Sequence, residues 1–287
     1  MLYEELLRDF LEWVKEDVPF WDLTTEALIP SGTVVESVIV SEGDYVVACT
    51  EELAGVLELL GIDVLEYAPS GSLVRTGSVV MRLRGDARKL LIIERTILNL
   101  LTYLSGVATR TKEFVDAVKS VNPKARVAAT RKVVPGLRAL IKNAVRAGGG
   151  DTHRLSLSDA YIIKDNHLAI VGNLREAIKR VKSLATFMHK VEVEVSKAEE
   201  ALVAAKEGAD VIMLDNVTPA EVRRTVELLK REGLRDKVII EVSGGIDLRN
   251  VKDYVRAGAD VVSTSELTMN PVKVNMSMEV VKVVCRS

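Results

Sequence analysis

The stretch Val191-Glu192-Val193-Glu194-Val195 decides the fold. Side chains alternate between the two faces of a strand, so its three valines share one face and its two glutamates the other. In a parallel sheet covered by helices the valines pack outward against the helices and the glutamates point into the interior. Buried carboxylates are costly unless paired or hydrogen-bonded, and Lys132 and Lys164 are the obvious partners.

Around this stretch, short Val- and Ile-rich runs alternate with amphipathic segments. Strands are expected at 126–130, 161–164, 190–195, 211–214, 238–242 and 260–265, with helices near 135–147, 173–183, 197–207, 219–231 and 248–257. Such alternation predicts an α/β fold, a parallel sheet covered by helices, with a β/α barrel as its natural closure. Upstream, a helix over 2–16 and a loop over 17–30 precede strand-like pieces at 34–41, 45–48, 64–67, 74–77 and 79–83 and a helix at 51–60, a small α+β layer domain. A long helix spans 90–119; Gly106 marks a bend or a close approach between helices, and Arg95, taken alone, reads as an exposed helix residue.

At 287 residues with net charge −2 and 48% apolar residues, the chain is long enough for two domains and does not suggest a nucleic-acid partner. Cys49 and Cys285 form no disulfide framework or metal-ligand spacing. The acidic, amphipathic N-terminus is unlike a signal peptide, and no apolar run approaches a membrane span, which points to a soluble cytoplasmic protein. Glutamine is absent while Lys, Arg and Glu abound, as in thermophilic proteins.

Barrel chemistry sits at the C-terminal strand ends. All six expected ends are polar: Arg131-Lys132, Lys164-Asp165, Glu192 with Glu194, Asp215-Asn216, Ser243-Gly244-Gly245 and Ser263-Thr264-Ser265. Arg131, Lys132, His153, Arg154 and Lys164 gather charge that repels itself unless an anionic guest is held. Ser243-Gly244-Gly245 lets backbone amides approach a phosphate, whereas Gly148-Gly149-Gly150 has neither P-loop nor dinucleotide spacing and reads as the link delivering His153 and Arg154. The three histidines make no metal triad; a divalent ion is expected to be Mg²⁺, held by Glu194 and Asp215 with substrate oxygens. No serine or cysteine is flanked by a base as covalent catalysis requires.

The chain resembles the quinolinate phosphoribosyltransferase family, the carboxylating nicotinate-nucleotide pyrophosphorylases of NAD biosynthesis. The resemblance rests on Asp22-Leu23-Thr24-Thr25, Glu94-Arg95-Thr96, Leu104-Ser105-Gly106-Val107-Ala108-Thr109, Thr130-Arg131-Lys132 and Pro135-Gly136-Leu137-Arg138. It continues through His153-Arg154, Ile163-Lys164-Asp165-Asn166-His167, Glu192-Val193-Glu194, Met213-Leu214-Asp215-Asn216 and Ser243-Gly244-Gly245, in family order along nearly the whole chain. It implies an N-terminal sandwich domain, residues 1–106 completed by about 275–287, and a barrel of fewer than eight full strands over 107–274.

The activity so implied is a pentosyltransferase joining quinolinate to phosphoribosyl pyrophosphate with loss of CO₂, giving nicotinate mononucleotide. The resemblance also implies a homodimer or higher oligomer in which Arg95 serves the partner's site, contrary to the reading of Arg95 alone. Arg131, His153, Arg154 and Lys164 are then expected to hold the two carboxylates, and Ser243, Gly244 and Ser265 the 5-phosphate. Lys132, Lys164, Glu194 and Asp215 are the expected catalytic set, with Lys132 and Mg²⁺ near the pyrophosphate. Ala129, Val133, Thr152, Ser156 and Ser265 depart from the family pattern without removing a carboxylate-binding cation. Rival readings are a relative acting on nicotinate, a phosphate-ligand sensor, and an aldolase using Lys164 as a Schiff base.

Overall fold

A computed structural model describes residues 3–285; Leu2, in the expected first helix, and Arg286 and Ser287, in the expected completing segment, lie outside the described residues. The chain begins with α1 (Tyr3–Asp17), α2 (Leu23–Leu28), β1 (Val34–Ser41), β2 (Tyr45–Val46) and α3 (Thr50–Leu59). It continues with β3 (Asp63–Tyr67), β4 (Leu73–Val74), β5 (Val79–Asp86), α4 (Ala87–Lys119), β6 (Arg126–Ala128) and α5 (Arg138–Ala147). Then come β7 (Tyr161–Ile163), α6 (Asp165–Val171), α7 (Leu174–Leu184), β8 (Val191–Val195), α8 (Ala198–Lys206), β9 (Val211–Asp215) and α9 (Pro219–Arg231). The last are β10 (Ile239–Ser243), α10 (Val251–Ala257), β11 (Val261–Ser263), α11 (Glu266–Met269) and β12 (Met276–Cys285).

These elements form two compact units. The first takes Met1–Arg110, Ala139–Gly149 and Pro271–Ser287, and the second Thr111–Arg138 and Gly150–Asn270. Helix α5, which sequence order puts amid the barrel strands, therefore belongs to the first unit, where the Asn143 amide donates to Glu52 at 2.6 Å.

The first unit has an antiparallel sheet in the order β12-β1-β5-β3 and a separate β2-β4 ribbon. Strand β12 pairs with β1 along its whole length, from Val34 opposite Cys285 to Ser41 opposite Met276. Leu6, Phe10 and Val14, spaced by four, form the buried stripe of α1, which packs on α3. Within the expected loop 17–30 the structure has α2, because the Asp22 carboxylate accepts from the amides of Thr24 and Thr25 at 3.0 and 3.1 Å and caps a turn of helix. The close approach at Gly106 is to extended chain and not to a helix: a Cβ there would sit 2.3 Å from the Val272 carbonyl. Helix α4 has 33 residues and, against expectation, is long and apolar enough to cross a membrane; most of its apolar window is buried inside the protein, as in a core helix.

The second unit is built on six parallel strands in the order β6-β11-β10-β9-β8-β7. Among the described residues its edge strands do not pair with each other, so the expected barrel is open. The outer edge of β6 is taken by Asp151, whose N–H donates to Val127 O at 2.7 Å and whose carbonyl accepts from Ala129 N–H at 2.9 Å. Val191, Val193 and Val195 are buried, as the alternation of β8 requires.

The strands' N-terminal ends are held by two aspartates. Asp210 accepts from Val191 N–H at 2.7 Å, and Asp260 accepts from Ile240 N–H at 2.8 Å and from the Arg235 guanidinium at 2.7 Å. Polar residues at this end of a barrel act on stability. Asp260→Ala is expected to lower unfolding free energy in urea by about 1–3 kcal/mol, since it leaves the Ile240 N–H without its side-chain acceptor and removes the charged partner of Arg235. Substrate affinities should not change; a loss of affinity at unchanged stability would contradict this assignment.

Candidate active site

At the opposite end, the C-terminal strand ends and the loop carrying His153 and Arg154 enclose a cavity of about 480 Å³. Of the expected site residues, Arg131, Lys132, His153, Arg154, Lys164, Glu194, Asp215, Ser243, Gly244 and Ser265 all line it. Arg95 does not: it is exposed on α4 in the first unit. The segment after β6 is held where Lys132 N–H donates to Thr130 Oγ1 at 3.0 Å and Lys132 O accepts from Thr268 Oγ1 at 2.6 Å. Lys164 sits where β7 turns into α6, a helix not expected from the sequence, and its N–H donates to His167 Nδ1 at 3.0 Å. His167 is thus a capping residue, and His189 lies edge-on against Tyr161.

The inward glutamates are neutralised differently from expectation. Lys164 Nζ contacts Glu194 at 2.5 Å, but Lys132 makes no ion pair among the described residues. Glu192 instead faces His153, whose Nε2 lies 3.6 Å from Glu192 and 3.2 and 3.3 Å from the two carboxylate oxygens of Glu241 on β10. Glu241 was missed because a single acid in Ile239-Ile240-Glu241-Val242 lacks the repeated alternation that marks β8. It occupies an inward position nonetheless, 3% exposed.

Burial, then the neighbouring Glu241, raise the Glu192 carboxyl from 4.5 to about 8, against the opposing pull of nearby cations that include Arg154 and Lys164. One of its oxygens is buried with no hydrogen-bond partner, consistent with an uncharged acid. His153, Glu192 and Glu241 present ligand atoms within 4.8 Å of one another, spacing a metal ion could use. The histidine argues against it: His153 Nδ1 accepts the Arg154 N–H at 2.8 Å, so a neutral ring carries its proton on Nε2, the atom a metal would need.

His153 has φ 54° and Asn216 has φ 53°, both left-handed. The Arg154 guanidinium donates to Ala160 O at 3.3 Å, and burial followed by the nearby Arg131 lowers its pKa. At the phosphate-sized end, Gly244 and Gly245 have φ 88° and 61°. A Cβ on Gly244 would fall 2.4 Å from Asn216 Oδ1, so glycine is required there. Thr264 fixes the neighbouring strand end by donating from Oγ1 to Ile246 O at 2.8 Å.

An open β/α barrel with four cations, three carboxylates and a glycine turn around one cavity at its C-terminal strand ends defines an enzyme-type site for a small polyanion. Residues 22–105 match the N-terminal domain, and residues 107–279 the C-terminal domain, of quinolinate phosphoribosyl transferase. The chain belongs to that family. It is 45% identical over 269 residues to the "Probable nicotinate-nucleotide pyrophosphorylase (carboxylating)" of Methanothermobacter thermautotrophicus, covering 94% of this chain and 96% of the relative. The human nicotinate-nucleotide pyrophosphorylase (carboxylating) is 33% identical, with 93% and 89% covered. The solved nicotinate-nucleotide pyrophosphorylase of Francisella tularensis superposes with TM-score 0.89 at 30% identity, over 98% of this chain and 97% of that one.

A raised carboxyl pKa favours folding at low pH. Between 4.5 and about 8 the folded chain keeps a proton on Glu192 that the unfolded chain releases, so this contribution is full below 4.5 and lost as pH rises through 8. Glu192→Gln fixes the neutral form. The variant is expected to lose less stability than the parent between about pH 5 and about pH 9, by on the order of a few kcal/mol in denaturant titrations. Parallel pH profiles for the two proteins would mean that Glu192 is ionised in the fold.

Proposed function

We propose that the chain transfers the phosphoribosyl group of phosphoribosyl pyrophosphate to quinolinate and releases pyrophosphate and CO₂, forming nicotinate mononucleotide in NAD biosynthesis. One observation carries this reading beyond family membership. Arg131, Lys132, Arg154 and Lys164 converge on one cavity, and among the described residues only Lys164 of these has a carboxylate ion-pair partner. Clustered cations of this kind are stabilised by an anionic guest, and guanidinium forks match carboxylates in geometry.

In this reading Arg131, Arg154 and Lys164 hold the two adjacent carboxylates, with His153 in the same wall. The amides of Ser243 to Gly245 and of Ser265 receive the 5-phosphate, and Lys132 the pyrophosphate. Glu194 faces the ribose and stabilises the positive charge that grows there as pyrophosphate departs. The pyridine nitrogen bonds to that carbon; its new positive charge stabilises the electron pair left on the adjacent ring carbon when the C–C bond breaks and CO₂ departs, and that ring carbon then takes a proton from water. Binding and charge placement suffice, so no general acid is invoked.

Mg²⁺ fits the oxygen donors present: the Asp215 carboxylate faces the cavity and accepts from Asn216 Nδ2 at 2.6 Å, and Glu194 lies on the same wall. Such an ion, when bound, offsets the charge of the pyrophosphate. The proposal includes a homodimer in which Arg95 of the partner subunit completes the diacid site, which agrees with Arg95 being exposed and not among the residues lining its own chain's cavity. A cytoplasmic setting matches the nucleotide chemistry.

Incubating the purified protein with quinolinate, phosphoribosyl pyrophosphate and Mg²⁺ should yield the mononucleotide and CO₂ in equal amounts. Nicotinate in place of quinolinate should yield neither; equal turnover of nicotinate would overturn the assignment. Arg131→Ala is expected to raise the quinolinate KM about 10- to 100-fold, the worth of a charge-assisted hydrogen bond, while leaving that for phosphoribosyl pyrophosphate within about 3-fold.

A further inference from the structure

We propose that Glu241 is a positioning residue: it locks His153 in the Nε2–H tautomer and thereby sets the direction in which Arg154 meets the acid substrate. The inference rests on the quinolinate reading for its kinetic half, whereas the tautomer stands on geometry alone.

His153 is the pivot of the segment that delivers Arg154. Its N–H donates to Asp151 Oδ1 at 2.9 Å, its carbonyl accepts from Thr152 Oγ1 at 2.9 Å, and its ring Nδ1 accepts the Arg154 N–H at 2.8 Å. These contacts hold the residue at φ 54°, a left-handed conformation that residues other than glycine rarely adopt. They fix the shape of residues 151–154, and the backbone of Asp151 ties the start of the segment to the edge of β6. Glu241 fixes the ring of His153, two residues further on. It comes from β10, its side chain is 4% exposed, and both its oxygens lie within 3.3 Å of His153 Nε2.

The protonation pattern then follows. A ring whose Nδ1 accepts a backbone N–H cannot carry a proton there, so Nε2 is the donor and the carboxylate of Glu241 the acceptor. Both ring nitrogens are therefore engaged by the protein, which fixes the orientation of the His153 ring in the cavity wall and, through the main chain the two share, that of Arg154. Glu192, 3.6 Å from the same nitrogen and partnerless at one oxygen, is too distant to take over the hydrogen bond.

The test compares Glu241→Gln, which keeps an oxygen acceptor, with Glu241→Met, which keeps the length and removes the acceptor. The full chain labelled with ¹⁵N-histidine has three ring systems, separable with His167→Asn and His189→Asn variants. His153 is expected to show the Nε2–H tautomer near neutral pH in the parent and in Glu241→Gln, and exchange between tautomers in Glu241→Met. In the kinetic arm Glu241→Met should raise the quinolinate KM about 10-fold or more and that for phosphoribosyl pyrophosphate less than about 3-fold, and Gln should recover most of the loss.

A parent spectrum showing an Nδ1–H ring or an imidazolium overturns the proposal, whether or not the protein is active. So does a folded Glu241→Met with unchanged quinolinate KM, or an equal loss for both substrates. If Glu241→Met does not fold, the parent and Gln spectra with the Gln kinetics decide. An inactive parent that shows the expected tautomer counts against the quinolinate reading and leaves the histidine lock in place.

Discussion

A carboxylate turned into the interior of a parallel sheet must be ion-paired, hydrogen-bonded or protonated, and the upper face of the second unit is shaped by how three of them are. Glu194 meets Lys164, Glu241 meets His153, and Glu192 holds a proton of its own up to about pH 8. These are three different solutions within one small volume. Together they tie β8 and β10 to the end of β7 and to the segment following Asp151. Remove the inward acids and the lysine and histidine lose the partners that aim them.

The same balance leaves positive charge over. Arg131 and Arg154 sit close enough for the first to weaken proton binding by the second, a repulsion the fold bears at its strand ends. Barrel interiors are dry enough for such repulsion to matter and for a dianion to relieve it strongly. Substrate affinity and fold stability are therefore opposed here: the arrangement that binds best is the one the empty chain finds least comfortable.

Much of this was legible in the sequence because it is periodic. The alternation of Val191 to Val195 gave both the parallel strand and its inward acids, and the repeated run-and-helix rhythm located all six barrel strands. What escaped depends on contacts between distant residues or on single side chains. The barrel's opening follows from Asp151 occupying the edge of β6, which no local pattern announces. Helix α2 depends on one aspartate cap within a turn-rich stretch, and Glu241 is a lone acid among aliphatics. Lys132 was expected to pair with an inward glutamate and does not, because Lys164 and His153 take those acids instead.

Strand β12 follows all six barrel strands in the chain and lies beside β1, which precedes them. During synthesis the long, apolar flank of β1 must wait for more than two hundred further residues before its neighbour exists. Until then it offers unpaired amides and carbonyls to any other extended chain nearby. The edge of the N-terminal sheet is thus closed only after the barrel strands have been made, and folding intermediates of this architecture carry an open strand edge until β12 is available.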